Sequence, residues 1–138
     1  MAYFLTCTSN LTAMSERKYK SLEEFYPFYL TEHQDSTCRN LHFIGTGLLI
    51  ASLLTGIVLL NWVFFAAIPV LGYGFAWAGH AFFEKNKPAT FTYPLWSLAS
   101  DFIMFWHIVT GQLPEKMEAA RRKISGEEPT ANVASATA

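Results

Sequence analysis

Residues 41–60 read LHFIGTGLLIASLLTGIVLL, Asn61 follows, and residues 62–83 read WVFFAAIPVLGYGFAWAGHAFF. No Asp, Glu, Lys or Arg occurs between Arg39 and Glu84. Wound as helix at 1.5 Å per residue, that gap runs about 65 Å, enough for two crossings of a roughly 30 Å hydrocarbon core. The pattern predicts a helical hairpin: Leu41 to Leu60, a tight turn near Asn61-Trp62, and Val63 to Phe83. A buried helix pair in a soluble protein is the competing reading. It fails on mass, because a chain of 138 residues has too little other protein to cover two apolar helices.

Outward from the hairpin, a third apolar stretch runs from Pro94 to Leu113 and carries Asp101 and His107. Basic residues flank the spans: Arg17, Lys18 and Lys20 before the hairpin, Lys85 and Lys87 after it, and Arg121, Arg122 and Lys123 after the third stretch. The positive-inside rule places all of these in the cytoplasm and Asn61 outside. One further crossing would put the carboxyl end on the wrong side. The third stretch is therefore expected to re-enter or to consist of two short helices. The fold class is all-α, a small integral-membrane helical bundle built on a two-span hairpin. A bacterial inner membrane is favoured, or the endoplasmic reticulum in a eukaryote.

Ser21 to Thr31 reads as an amphipathic helix, with Ser21 and Glu24 in capping-box spacing and Pro27 as a bend. Leu22, Phe25, Tyr26, Phe28 and Tyr29 would supply an aromatic face to the membrane interface. Glu115 to Ile124 reads as a short charged helix. The domain reading is an extension over 1–16, one membrane-embedded helical domain over 17–124 and a disordered small-residue tail over 125–138. Residues 1–13 lack the charge and apolar run of a signal peptide. Met14 is an alternative start, and Asn10-Leu11-Thr12 matches a glycosylation sequon of low specificity.

Composition excludes several classes. The chain is 51% hydrophobic and 15% charged, which is incompatible with disorder. Ten Lys+Arg against eleven Asp+Glu give no basic surface for nucleic acid. Cys7 and Cys38 alone cannot make a disulfide scaffold. No P-loop, dinucleotide fingerprint or G-x-S-x-G is present. Transport would require more spans or a homo-oligomer, and homo-oligomerisation stays open.

Ionisable residues in or beside spans are costly and become candidate site residues. His33, His42, His80, His107, Glu84 and Asp101 qualify. His42 begins the first span and His80 ends the second, so an antiparallel hairpin sets them side by side at the cytoplasmic face. Asp35 and Ser36 are good N-cap residues, and a break there would fold His33 back toward His42. Gly72, Ala76, His80 and Glu84 share one helix stripe, and Gly47, Ala51 and Thr55 form a matching small stripe. Glu84, a turn beyond His80, could share an ion with it. Such donors suit Zn²⁺, Fe²⁺ or Mn²⁺. Asp35, Asn40, Asn86 and Asp101 are candidates to orient the rings. Cys38 reads as a buried thiol beside the site, and His107 as a packing or interface residue. A haem between His42 and His80, or a non-enzymatic helix-interaction module, remain alternatives.

YLTEHQDSTCRNLHFIGT (29–46) and GHAFFEKNKPATFTYPLWSLASDFIMF (79–105) resemble the two sequence blocks of the DUF962 family, typified by yeast 2-hydroxy fatty acid dioxygenase. The resemblance covers about residues 17 to 113. It implies an iron(II)-dependent dioxygenase that uses O₂ to shorten 2-hydroxy fatty acids by one carbon, the reaction of fatty-acid α-oxidation. It implies His33, His42 and His80 as iron ligands, with Glu84 among the catalytic residues. Glu84, Asn86 and Pro88 fall in the second block and Asp101 near its end. His107 lies outside the shared pattern. Zn²⁺ suits the same ligands. Arg39, Lys85 or Lys87 would neutralise the substrate carboxylate, although positive-inside topology alone also accounts for them.

Overall fold

The computed structural model describes residues 18–126. The expectations for residues 1–16, for Arg17 and for most of the 125–138 tail lie outside the described residues. Every described regular element is helical: α1 Leu22–Thr31, α2 Ser36–Leu59, α3 Trp62–Gly79 continuing as one π turn over His80–Glu84, a short 3₁₀ turn Ala89–Phe91, α4 Pro94–Val109 and α5 Leu113–Ser125.

Helix α2 starts before its apolar run because Asp35 caps it. The carboxylate accepts the backbone N–H groups of Thr37 and Cys38 at 2.7 and 3.1 Å, satisfying donors that a helix start leaves orphaned. At the far end Leu60 takes a left-handed conformation with φ of 50°, and the Asn61 side chain accepts from Val63 N–H at 3.1 Å to cap α3. These two residues reverse the chain, giving the tight turn that the sequence predicts. The segments Ser36–Leu59 and Trp62–Glu84 are both long and apolar enough to cross a membrane.

The two spans pack closely through glycine. A Cβ added at Gly45 would lie 2.8 Å from Phe75 Cβ and 2.9 Å from the Leu71 carbonyl oxygen, so only glycine lets the backbones approach this far. The buried stripe on α2 is Gly45, Leu49, Ser52 and Gly56, with Ser52 Oγ donating to the Phe64 carbonyl at 2.8 Å. The expected stripe of Gly47, Ala51 and Thr55 is rotated from it. Ala51 faces outward, and Gly47 meets Phe105 of α4. Small-residue spacing identifies a close-packing stripe but leaves its rotation open when two glycines lie two residues apart.

Helices α1, α4 and α5 form a second layer around the base of the hairpin. Their shared core is Phe25, Tyr29, Leu30, Tyr93, Met104, Met117 and Ala120. Phe25 and Tyr29 are therefore buried, and the aromatic face of α1 packs on protein where the sequence suggests membrane interface. Helix α4 is one unbroken helix of 16 residues, about 24 Å long, short of a roughly 30 Å hydrocarbon core. Phe43 stacks on Phe105, Gly47 meets Phe105 and His42 bonds Asp101. These contacts hold α4 against the first half of α2. Because α4 is continuous, the stretch is not divided into two short helices. The hairpin tip stands free, with Leu54, Val58, Leu60, Trp62 and Val70 exposed.

Candidate metal centre

Three elements converge at the base of the hairpin. His33 follows α1, His42 lies near the start of α2, and His80 begins the π turn that ends the second span. Their ring centroids are 4.5 Å (His33–His42), 4.6 Å (His33–His80) and 5.2 Å (His42–His80) apart. Cys38 completes a group whose candidate ligand atoms all lie within 4.8 Å of one another. All four are buried, with relative exposures of 0% for His33 and Cys38, 3% for His80 and 5% for His42.

The loop that brings His33 here is tied down from both sides. Arg39 donates to the carbonyl oxygens of His33 and Gln34 at 2.8 and 2.7 Å. Asp35 N–H donates to Glu84 Oε1 at 2.6 Å. Gln34 Oε1 accepts from Arg121 of α5 at 2.7 Å.

Each ring has its Nδ1 engaged by an acceptor. His33 Nδ1 donates to the Tyr29 carbonyl at 2.6 Å, and His42 Nδ1 to Asp101 Oδ1 at 2.7 Å. His80 Nδ1 donates to Asn86 Oδ1 at 2.7 Å. The Asn86 amide is itself oriented, since its Nδ2 donates to the Glu32 carbonyl and carboxylate at 3.0 and 3.2 Å. Protons on the three Nδ1 atoms leave the three Nε2 atoms as lone-pair donors. His33 Nε2 and His42 Nε2 lie 3.2 Å apart. Two bare nitrogens at that distance repel unless a cation or proton lies between them. A shared proton would make a ring cationic, and burial, reinforced by the neighbouring His42 and His80, holds the His33 imidazole well below its ordinary pKa.

The donor set therefore fits a metal ion. Nitrogens each about 2.1 Å from one ion, at roughly 90–110° to one another, sit about 3.0–3.4 Å apart. Backbone carbonyl, carboxylate and amide oxygen are the partners that fix ligand tautomers and raise ring basicity.

Other candidate residues stand elsewhere. Glu84 lies outside the close group of His33, Cys38, His42 and His80: a π turn follows His80, and the Glu84 carboxylate accepts the Asp35 N–H. The four-residue stripe ends at His80 for the same reason. Asp35 caps α2 and contacts no ring. Asn40 is exposed. Arg39 is committed to the loop carbonyls, Lys85 terminates the helix in a left-handed conformation, and Lys87 lies 5.5 Å over the Phe91 ring. His107 accepts or donates a 2.8 Å bond with Tyr26 Oη in the α1–α4 contact, apart from the three rings.

Sequence reasoning missed Tyr29, whose hydroxyl donates to Asp101 Oδ1 and whose ring lies 4.1 Å from that of His33. It also missed Glu32, which orients Asn86, and Gly79, where a Cβ would come within 2.8 Å of Cys38 Sγ. Tyr29 and His33 are four apart, but His33 lies beyond the end of α1, so helical spacing gave no signal.

A family described as "2-hydroxy-palmitic acid dioxygenase Mpo1-like" matches residues 19–113. The chain belongs to the Mpo1-like family. That span contains all three converging histidines, Asn86 and Asp101, and the name implies dioxygenase activity on a 2-hydroxy fatty acid. Helix α5 lies almost wholly outside the Mpo1-like match, although Met117 and Ala120 complete the core beside α1. No significant match exists among curated proteins or among solved structures.

Proposed function

We propose that this chain is a membrane-embedded, iron(II)-dependent dioxygenase that removes one carbon from 2-hydroxy fatty acids, with His33, His42 and His80 as the protein ligands. The observation that carries the reading is the set of three Nδ1-engaged imidazoles with ring centroids 4.5–5.2 Å apart, two of whose Nε2 atoms lie 3.2 Å from each other. Membership of the Mpo1-like family supports the substrate class. The basic flanks of the two spans support a membrane orientation with the cluster at the cytoplasmic face.

The overall reaction balances without an outside reductant. A 2-hydroxy acid and one O₂ yield the acid shorter by one carbon, CO₂ and water; the C1–C2 bond breaks and the four electrons lost by carbon reduce O₂. Iron(II), when bound, supplies binding of the hydroxy-acid head and the redox chemistry with O₂. The chain's own residues do the rest. Tyr29 carbonyl, Asp101 and Asn86 keep the three Nδ1 protons in place, so the ligand nitrogens stay neutral and basic. The buried site excludes bulk water, and the hairpin keeps an acyl tail beside it in hydrocarbon.

Two alternatives have specific observations attached. A haem would have to lie between His42 and His80, and His33 occupies that space within 4.6 Å of both ring centroids. A closed structural site, with Cys38 as fourth donor and Zn²⁺ as the ion, is favoured by the complete burial of Cys38. The deciding experiment uses anaerobically purified, iron-loaded protein in an oxygen electrode with 2-hydroxypalmitic acid. Uptake of O₂ with formation of the acid one carbon shorter supports the dioxygenase. Tightly held zinc with no uptake overturns it in favour of the closed site.

A further inference from the structure

A cavity of about 200 Å³ lies between α2, α3 and α4, lined by Thr46 and Leu49, by Ile68, Pro69, Gly72 and Tyr73, and by Leu98, Asp101 and Phe102. Apart from Thr46, the tyrosine hydroxyl and Asp101, its wall is apolar. Asp101 ties it to the histidine cluster, since its Oδ1 accepts from both His42 Nδ1 and the Tyr29 hydroxyl. Asp101 also lines the cavity, with 18% of its side chain exposed. Leu98 and Phe102 are 37% and 38% exposed and stand at the outer edge, on the α4 side of the two spans.

We infer that this cavity is the acyl-chain subsite and that the Asp101 carboxylate accepts the hydroxyl of the bound amphiphile. The inference rests on the dioxygenase reading and adds to it where the chain lies and what selects a hydroxylated acid. A wall of this composition repels a charged or strongly hydrated ligand and accepts methylenes. A carboxylate at the polar end favours a ligand carrying a hydrogen-bond donor. An unsubstituted fatty acid offers that carboxylate no donor, and sites built around such a bond reject the analogue lacking it. The cavity is smaller than the roughly 300–1,000 Å³ of typical ligand pockets. It holds the part of the chain next to the head, and the remainder passes out past Leu98 and Phe102 toward hydrocarbon.

Two positions set the space. Gly72 forms the α3 wall opposite Leu49, where an added Cβ would meet Leu49 Cδ1 at 3.0 Å, so Gly72→Leu fills the interior. Leu98→Trp narrows the outer edge from a half-exposed position where folding is little affected.

The test combines two readouts on the full chain in detergent. A diazirine-bearing 2-hydroxypalmitic acid is photocrosslinked and the modified residues mapped by mass spectrometry. The kcat/KM ratio for 2-hydroxypalmitic over 2-hydroxyoctanoic acid is measured in wild type, Gly72→Leu and Leu98→Trp, with metal content followed in each. The expected result is label within 46–49, 68–73 or 98–102, displaced by unlabelled 2-hydroxypalmitic acid but not by palmitic acid. The chain-length ratio should also fall about tenfold in Leu98→Trp with metal content unchanged. Label confined to other segments, or a Leu98→Trp protein with an unaltered ratio, overturns the subsite. Label in the cavity without any O₂ uptake supports the subsite and overturns the dioxygenase reading. Uptake with label elsewhere does the reverse.

Discussion

His33 and His42 aim their Nε2 atoms at each other across 3.2 Å, although one lies in the loop after α1 and the other near the start of α2. Four hydrogen bonds hold that approach: Tyr29 carbonyl to one Nδ1, Asp101 to the other, and two from Arg39 to the loop carbonyls. The arrangement makes sense as a pair of ligands with a fixed tautomer, and it leads to predictions that separate ligands from their supports.

Asn86 orients His80 without reaching the cluster itself. Asn86→Ala frees the His80 ring to rotate and to move its proton to Nε2. Metal affinity should fall about 10–100-fold while the fold is retained, as read by competition with a chelator of known affinity. Asp101→Asn should behave similarly through His42. Undiminished affinity in both variants would remove the tautomer argument.

Glu84 makes a contrasting case, because its carboxylate accepts the Asp35 N–H and stands outside the close His/Cys group. Glu84→Gln preserves an acceptor there. Its metal affinity should stay within about threefold of wild type, well short of the loss expected from removing a ligand's hydrogen-bond partner. A loss equal to that of His80→Ala would return Glu84 to the ligand set.

Gly79 sits under Cys38 with no room for a side chain. A methyl at Gly79 would come within 2.8 Å of Cys38 Sγ, so Gly79→Ala should destabilise the protein by about 1–3 kcal/mol through overpacking. Adding Cys38→Ala removes the clashing sulfur and should recover much of that loss. Thermal unfolding of the two single variants and the double variant measures the coupling; purely additive effects would contradict the contact.

His107 provides a pH dependence distant from the cluster. Burial, with a smaller effect from Lys116, lowers its pKa from the ordinary 6.5. Burial raises that of Tyr26, so the phenol donates and the neutral Nδ1 accepts the 2.8 Å bond. The folded-state pKa is depressed, so this contribution to stability is complete above about pH 6.5 and is lost as pH falls below it. Denaturant midpoints at pH 7.5 and pH 5 should differ more in wild type than in His107→Phe. Equal differences would assign the acid sensitivity to other groups.

The hairpin was legible because a charge-free run of that length has few physical alternatives. The Asp35 cap was legible for a similar reason, since an acceptor directly before an apolar run satisfies orphaned helix donors. The proximity of His42 and His80 followed from antiparallel packing alone. The position of α4 did not, because hydropathy reports that a stretch is apolar and says nothing of whether lipid or α1 covers it. The same ambiguity turned the aromatic face of α1 inward. The bond between Glu84 and Asp35 N–H was not legible, because a π turn breaks the four-residue period and no residue type in HAFFE announces it. Tyr29, Glu32 and Gly79 act through contacts between elements far apart in the chain, which spacing within one helix cannot reveal.

The central claim is that three imidazoles of one chain bind an iron that acts on a 2-hydroxy fatty acid. Its most direct test is X-ray absorption at the iron edge of anaerobically purified protein, before and after addition of 2-hydroxypalmitic acid. The account predicts stoichiometric iron with three imidazole nitrogens near about 2.1 Å, and a further light-atom shell change when the hydroxy acid is added. Protein without iron, or iron whose nearest shell lacks imidazole and ignores the hydroxy acid, would contradict it.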